Sequence, residues 1–303
     1  MYGKVMINKI ITLTLPLIPK SVVHIFAKKY IAGEQLSDAV KVTKELMAKG
    51  GMTTIDVLGE YVTTKSRANH ETEMASEVLN AINNENLKTY LSVKPTSLGM
   101  GIDFQFGYEN ILSLVKKAEK NNIWVRLDME NSPYTQQTID MYKKLRDEGH
   151  DKIGIVFQAY MKRSYKDIEG LLDYKPSIRL CKGIYVESPE IAYRDFKAVQ
   201  ENYKKLLDLM LDNGLYSGIA THDEDLLKYA LQQIEERKLQ KDKYEFQMLL
   251  GVRNKRRDEI LAQGHPLRVY VPFGEDWYGY STRRLKENPA MAGHIVKSIF
   301  GMN

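Results

Sequence analysis

Residues 153–158 read Ile153-Gly154-Ile155-Val156-Phe157-Gln158, an apolar run that closes on an amide. Such a run, with no polar residue at every second position, predicts a strand buried on both faces, as in a parallel sheet. Seven more runs rich in β-branched and aliphatic residues accompany it: Thr53–Leu58, Thr89–Lys94, Trp124–Asp128, Ser177–Lys182, Ser217–Thr221, Glu245–Leu249 and Arg268–Val271. Between them lie amphipathic stretches, including Glu109–Asn121, Gln136–Glu148, Glu190–Asp212 and Asp225–Arg237. Another, Leu36–Met47, precedes the first run and places Leu36, Ala39, Val40, Thr43 and Met47 on one helical face. Run starts are mostly about 25 to 40 residues apart, the size of a β-α unit. Eight such units in roughly 250 residues predict an α/β chain folded as a (β/α)8 TIM barrel. A doubly wound dinucleotide fold wants G-x-G-x-x-G after its first strand, and the nearest approach, Gly99-Met100-Gly101, has Phe104 at the third glycine. The division expected is an N-terminal helical arm over 1–48 and a barrel over 49–303.

The 303 residues carry a formal net charge of +5, with 43% hydrophobic and 27% charged residues. That composition excludes a disordered or fibrous chain. With Cys181 as the one cysteine, neither an intramolecular disulfide nor a cysteine-based zinc site can form, and a reducing compartment is expected. The mild basicity suits an anionic cofactor, a small acidic substrate or a membrane surface, and is too weak to imply nucleic acid.

Ile10–Ile18 is the most apolar stretch, but Thr12, Thr14, Pro16 and Pro19 interrupt it well short of the roughly 18 residues a membrane-spanning helix needs. From Met1 to Gly33 there is no acidic residue, while Lys4, Lys9, Lys20, Lys28 and Lys29 alternate with aliphatic side chains. This arm either packs on the main domain or forms an interfacial patch drawn to anionic lipid.

A barrel carries its active site at the C-terminal ends of its strands. Those ends read Lys94, Asp128, Gln158, Lys182, Thr221-His222, Leu249 and Tyr270, mostly polar groups closing apolar runs. A charge at such a place is either paired or turned to a ligand, because burying it alone is expensive. Two clusters are denser. In Arg179-Leu-Cys-Lys182-Gly-Ile-Tyr185, strand alternation sends Arg179 and Cys181 to one side and Leu180 and Lys182 to the other. Gly183 then permits a backbone conformation or a close approach that other residues avoid. In Trp277-Tyr-Gly-Tyr280-Ser-Thr-Arg283-Arg284-Leu-Lys-Glu287, a helix puts Tyr280, Arg283, Arg284 and Glu287 on one face. Two guanidinium forks there suit a carboxylate. The six histidines are scattered, so no metal site is expected, and no nucleophile elbow or phosphate-binding loop occurs. The basic run Arg253–Arg257 reads as a solvated helix start.

These segments resemble proline dehydrogenases. Arg179-Leu-Cys-Lys182-Gly-Ile-Tyr185 is similar to their R-L-V-K-G-A-Y segment, and Tyr280-Ser-Thr-Arg283-Arg284 to their Y-x-x-R-R motif. SVKPTSLG around Lys94, VRLDME around Asp128, FQAY around Gln158, ATHD around Thr221-His222 and EFQMLLG up to Leu249 agree in order and spacing. The resemblance runs from Thr53 to Met291 and matches the short, monofunctional members. It implies a distorted (β/α)8 barrel holding FAD, which oxidises L-proline to Δ1-pyrroline-5-carboxylate by hydride transfer to flavin N5 and passes electrons to a membrane quinone. By position, Lys94, Arg283 and Arg284 would bind the proline carboxylate, and Asp128 would hold this cationic cluster in place. Tyr270, Tyr280 and Leu249 would line the ring, and Arg179 would sit near N5. Met129, Gln158, Lys182, Gly183, Ile184, Thr221 and His222 would contact FAD. Asp128 and Arg179 are thus the implied catalytic pair, and the implied location is cytoplasmic with peripheral contact at the inner membrane face. Cys181, Ile184 and Gly279 depart from the family's usual valine, alanine and proline. Two other readings of the residues stay open: a barrel aldolase or lyase with Lys94 or Lys182 as a Schiff base, and a non-catalytic barrel that senses an amino acid.

Overall fold

Residues 23, 24 and 27–287 are described by the computed structural model, with side chains as far as residue 282. Eight strands close a barrel in chain order, each parallel to the next and the eighth parallel to the first. They are β1 (Met52–Val57), β2 (Thr89–Val93), β3 (Val125–Leu127), β4 (Ile153–Gln158), β5 (Ser177–Cys181), β6 (Ser217–Ala220), β7 (Tyr244–Leu249) and β8 (Leu267–Phe273). The expected runs match these strands to within two residues at either end. Helix α1 (Leu36–Ala48) precedes the barrel. One helix then follows each strand: α2 (Lys65–Asn84), α3 (Phe104–Lys120), α4 (Ser132–Asp147), α5 (Ser164–Glu169), α6 (Phe196–Asp212), α7 (Glu224–Glu236), α8 (Asn254–Ala262) and α9 (Trp277–Glu287).

The main core lies between the outer face of the strands and the helices, where Ile55, Leu91, Val125, Ile155, Leu180, Ile219 and Phe246 are fully buried or nearly so. Truncating one such side chain to alanine costs about 2–5 kcal/mol. Helix starts follow their caps. Asp103 Oδ1 accepts from the Phe106 amide at 2.7 Å, so α3 begins five residues before Glu109. The helix expected from Glu190 starts instead at Phe196, where Asp195 caps the Ala198 amide at 2.9 Å. The residues before it are held in a turn by Lys162 N donating to Ile191 O and by a bridge between Met161 and Ala192. The basic run does mark a solvated helix start, with Arg253, Asn254 and Lys255 exposed at the head of α8, while its far end is anchored. Arg257 is buried on Asp258 and Asn254, and Arg253 reaches back to His222 O and Glu224.

The barrel is distorted at its seam. The outer face of β1 and β8 is covered by α1, with Thr53 donating to Thr43 at 3.2 Å. That leaves α9 to pack by Trp277 and Tyr280 onto Leu58, immediately past the C-terminal end of β1, together with Val23, Ala27, Tyr30 and Ile31. The chain before α1 is tied to the same end, through Ala32 N to Pro272 O and Gly274 N to Gly33 O. Among the described residues no helix is long and apolar enough to cross a membrane. Most of the acid-free arm lies outside the described residues.

The barrel interior is unusual for this fold. Aliphatic layers are the norm, yet Arg126, Arg179, Glu245, Gln247 and Arg268 are all buried. Two glycines make room for them: a Cβ on Gly154 would lie 2.4 Å from Arg126 Nη1, and one on Gly218 would lie 2.6 Å from Gln247 Nε2.

Candidate active site

The side chains that strand alternation turns inward converge at the C-terminal ends of the strands. Arg179 on β5 is the hub. Its Nη1 donates to Asp128 Oδ1 at 2.6 Å and to Ser92 Oγ at 3.2 Å, its Nε donates to Gln247 Oε1 at 2.6 Å, and its guanidinium lies 5.2 Å from the Tyr270 ring centroid. Asp128, directly after β3, also accepts from Ser92 Oγ at 2.8 Å and from the Tyr270 hydroxyl at 2.9 Å. Three donors on one carboxylate fix it rigidly. Burial, then the Asp128 and Asp56 carboxylates, push the Tyr270 phenol well above its usual range, so it stays a donor.

Lys94 is held differently from the sequence expectation. Its Nζ donates to both oxygens of Asp56, at 2.9 and 2.7 Å, and the direct partner of Asp128 is Arg179. Burial pushes Asp56 up to about 6, against the pull of Lys94. Burial alone would lower Lys94, but Asp56, then Asp128, outweigh it and lift the amine above its ordinary value. A lysine so held is protonated and is no Schiff-base nucleophile. Lys182 is likewise paired, with Asp223 at 3.2 Å, and lies over the Phe196 ring.

A second arc of the rim runs from β3 to β7. Gln158 Nε2 donates to Met129 O at 2.9 Å, while Gln158 Oε1 is buried with no hydrogen-bond partner. Gly183 follows β5 at φ +104°, and a Cβ there would lie 2.1 Å from the Tyr160 ring. Only glycine fits both the angle and the contact. Beyond it Ile184 and Val186 are exposed, Val186 almost completely, an uncommon display of apolar surface. Cys181 points into the barrel, and burial pushes its thiol up to about 11, which makes it inert. Thr221 Oγ1 accepts from Asp223 N, and His222 Nε2 accepts from Leu249 N at 3.0 Å. That contact places the neutral imidazole proton on Nδ1.

Tyr280 is buried on α9 beside Trp277 and Leu58. Arg283 and Arg284 follow one turn later on the same helix, and their side chains lie outside the described residues. Asp56, Ser92, Gln247 and Asp223 were not singled out from the sequence as site residues. For Asp56 the signal was present, as a carboxylate inside the otherwise uncharged run Thr53–Leu58. Among the described residues no cluster of His, Cys, Asp and Glu could hold a metal ion.

Comparison with known proteins gives a consistent picture. The family model "Proline dehydrogenase" matches residues 39–297. Proline dehydrogenase 2 of Bacillus subtilis strain 168 is 38% identical over 276 residues, covering 91% of each chain. Proline dehydrogenase of Deinococcus radiodurans is 32% identical over 277 residues, covering 90% of this chain and 89% of that one. Among solved structures, proline utilization A from Bdellovibrio bacteriovorus inactivated by N-propargylglycine superposes with a TM-score of 0.81 at 23% identity. That match covers 87% of this chain and 32% of the other, and it speaks for the fold alone.

Proposed function

The chain belongs to the proline dehydrogenase family and oxidises proline at its CH–NH bond, the first step of proline catabolism; from this premise we propose that it does so with FAD held in the barrel mouth and with a membrane quinone as the final acceptor. The observation that carries this reading is the constellation of Lys94, Asp128, Arg179 and Tyr270 at the strand ends, braced by Asp56, Ser92 and Gln247. It is rigid and largely dry, and it presents fixed cations.

The residues present fit FAD. Gln158 Oε1 is a buried acceptor with no partner, the kind of group that is costly unless a ligand completes it. Gly183 keeps the backbone after β5 open where any side chain would collide. Exposed Ile184 and Val186 offer apolar surface beside it. Met129, Gln158, Arg179, the Lys182–Ile184 backbone, Thr221 and His222 would hold the cofactor. When bound, FAD supplies the two-electron acceptor that no side chain can provide.

The chain's own residues bind and orient. Lys94, Arg283 and Arg284 clamp the proline carboxylate, remote from the bond that breaks, which turns binding energy into alignment. Tyr270, Tyr280 and Leu249 line the ring. Asp128 does not hold that clamp directly; it fixes Arg179 and Tyr270, and it acts on Lys94 through space. Residues 27–33 pack at the mouth, and the segment that precedes them in sequence is free of acidic residues and carries Lys4, Lys9 and Lys20. We assign that segment to peripheral contact with an anionic membrane on the cytoplasmic side.

The test is optical. The purified protein should be yellow, and proline should bleach the flavin band under anaerobic conditions, with colour restored by a soluble quinone. A colourless protein that neither binds added FAD nor turns over proline overturns the assignment.

A further inference from the structure

Below the mouth, a continuous hydrogen-bonded line descends through the barrel. Arg179 Nε donates to Gln247 Oε1 at 2.6 Å, Gln247 Nε2 donates to Glu245 Oε1 at 2.6 Å, and Arg268 Nε donates to the same oxygen at 2.7 Å. Glu245 Oε2 accepts from the Tyr216 hydroxyl at 2.8 Å. All the members from Arg179 to Arg268 are buried, with Glu245 fully so. Arg268 is itself pinned, by Nη1 donating to Thr53 O at 2.6 Å and by its guanidinium stacking 3.5 Å from the Tyr90 ring centroid.

An amide side chain can sit either way round, and an arginine beside it can accept only the orientation that shows oxygen. Here the choice is made from below. An ionised Glu245 carboxylate only accepts, so the Gln247 NH2 must face it and the Gln247 oxygen must face Arg179. Arg268, Tyr216 and Gln247 together hold Glu245 below its ordinary range although burial alone would raise it. Gly218 adds a steric element, since the space beside the amide is too small even for a methyl group. Asp128 and Ser92 both hold Arg179 through Nη1, at one edge of the guanidinium, and Gln247 is the acceptor that holds Nε at another edge and so fixes its in-plane orientation.

We infer that Gln247, aligned by Glu245 and the Gly218 gap, is a positioning residue that fixes the in-plane orientation of Arg179 at the site. The inference rests on the FAD reading above for what Arg179 faces, and on this chain's contacts for everything else. It makes Arg179 a cation held on two sides, by Asp128 at the rim and by an amide whose direction is dictated near the barrel floor. Such outer partners matter because a misplacement of about 1 Å can cost as much as 100-fold in rate.

The test uses the full-length, FAD-loaded protein. Gln247→Met keeps the length of the side chain, removes the amide and leaves the Glu245–Arg268 pair intact. It should lower kcat for proline by about 10- to 100-fold with KM changed by no more than about twofold. The flavin midpoint potential should become more negative, because a loosely held cation stabilises added negative charge less well. A merely structural role would lower the melting temperature and leave the potential alone. Gly218→Ala, which displaces the amide without touching a charge, should give the same signature and decides the matter if Gln247→Met does not fold. Glu245→Leu, which removes the oxygen that both Gln247 and Arg268 donate to, should also reproduce it, with added loss of stability from an Arg268 left without its carboxylate. Wild-type kcat and potential in Gln247→Met or Gly218→Ala, in a background that binds FAD and oxidises proline, overturn this inference alone. A wild-type chain lacking both properties removes the functional reading first.

Discussion

Lys94 Nζ lies 2.7 Å from Asp56 Oδ2, with the two side chains 11% and 1% exposed. The pair joins neighbouring strands β1 and β2 at the mouth and supplies the site with a lysine that stays charged. Burial acts on both partners in the direction that neutralises them, and each keeps its charge through the other. Asp56→Asn therefore leaves an isolated buried ammonium. Removing one partner of a buried pair costs about 3–5 kcal/mol, and chemical denaturation should show a loss of that order. The proline KM should rise by about tenfold or more, since the lysine then sheds its proton more easily. The double variant Asp56→Leu/Lys94→Met should recover much of the stability but none of the affinity for proline. An Asp56→Asn protein with wild-type stability and KM would show that the pair is incidental.

Tyr270 contributes both a hydroxyl to Asp128 and a ring face to Arg179. Tyr270→Phe removes the first and keeps the second. A hydrogen bond to a charged group contributes about 1.5–3 kcal/mol, so kcat/KM should fall by roughly 10- to 100-fold. Tyr270→Leu, which also removes the ring face, should fall further. Equal kinetics in the Phe variant would mean that Asp128 is sufficiently fixed by Arg179 and Ser92.

Gly183 stands at φ +104° against the ring of Tyr160. Gly183→Ala should lower both stability and the FAD retained on purification, with a backbone cost of about 1–3 kcal/mol before the clash is counted. Adding Tyr160→Leu relieves the contact but not the angle. Partial recovery in the double variant is the expected result, and full recovery would show that the angle alone costs little. Flavin-to-protein absorbance ratios and melting curves measure both quantities.

The eight strands were legible because burial on two faces leaves unbroken apolar runs, and Ile153–Gln158 is the clearest of them. The rim residues were legible as polar ends of such runs. The interior network was not. Arg126, Arg179, Glu245 and Arg268 sit within strands whose neighbours in sequence are apolar, and nothing local says which carboxylate meets which guanidinium across the barrel. Arg179 pairs with residues 51, 68 and 87 positions away, so only closure of the sheet brings them together. The start of α6 departs from the sequence periodicity for a simpler reason. Glu190-Ile-Ala-Tyr continues the helical pattern by composition, and the cap at Asp195 overrides it.

Glu130 gives a prediction with a definite sign in pH. It is fully buried in the loop after β3, accepts from the Thr96 amide at 2.9 Å and from the Thr96 hydroxyl, and burial pushes it up to about 7 from an ordinary 4.5. The Thr96 hydroxyl also accepts from Tyr61 N, so the carboxyl fastens two loops at the mouth. A carboxyl whose folded value is raised favours folding most when it is protonated. Its contribution is fully present below about pH 4.5, where both states hold the proton, and it is lost as pH rises through about 7. The folded chain must by then ionise a buried group that the unfolded chain ionises freely. Glu130→Gln removes this term, because its amide cannot ionise. The stability of the variant relative to wild type should therefore increase between pH 5 and pH 8, by roughly 3 kcal/mol at most. Urea denaturation at a series of pH values measures the difference. A difference that stays flat across that range, or that shrinks as pH rises, would show that Glu130 ionises as readily in the folded chain as in the unfolded one.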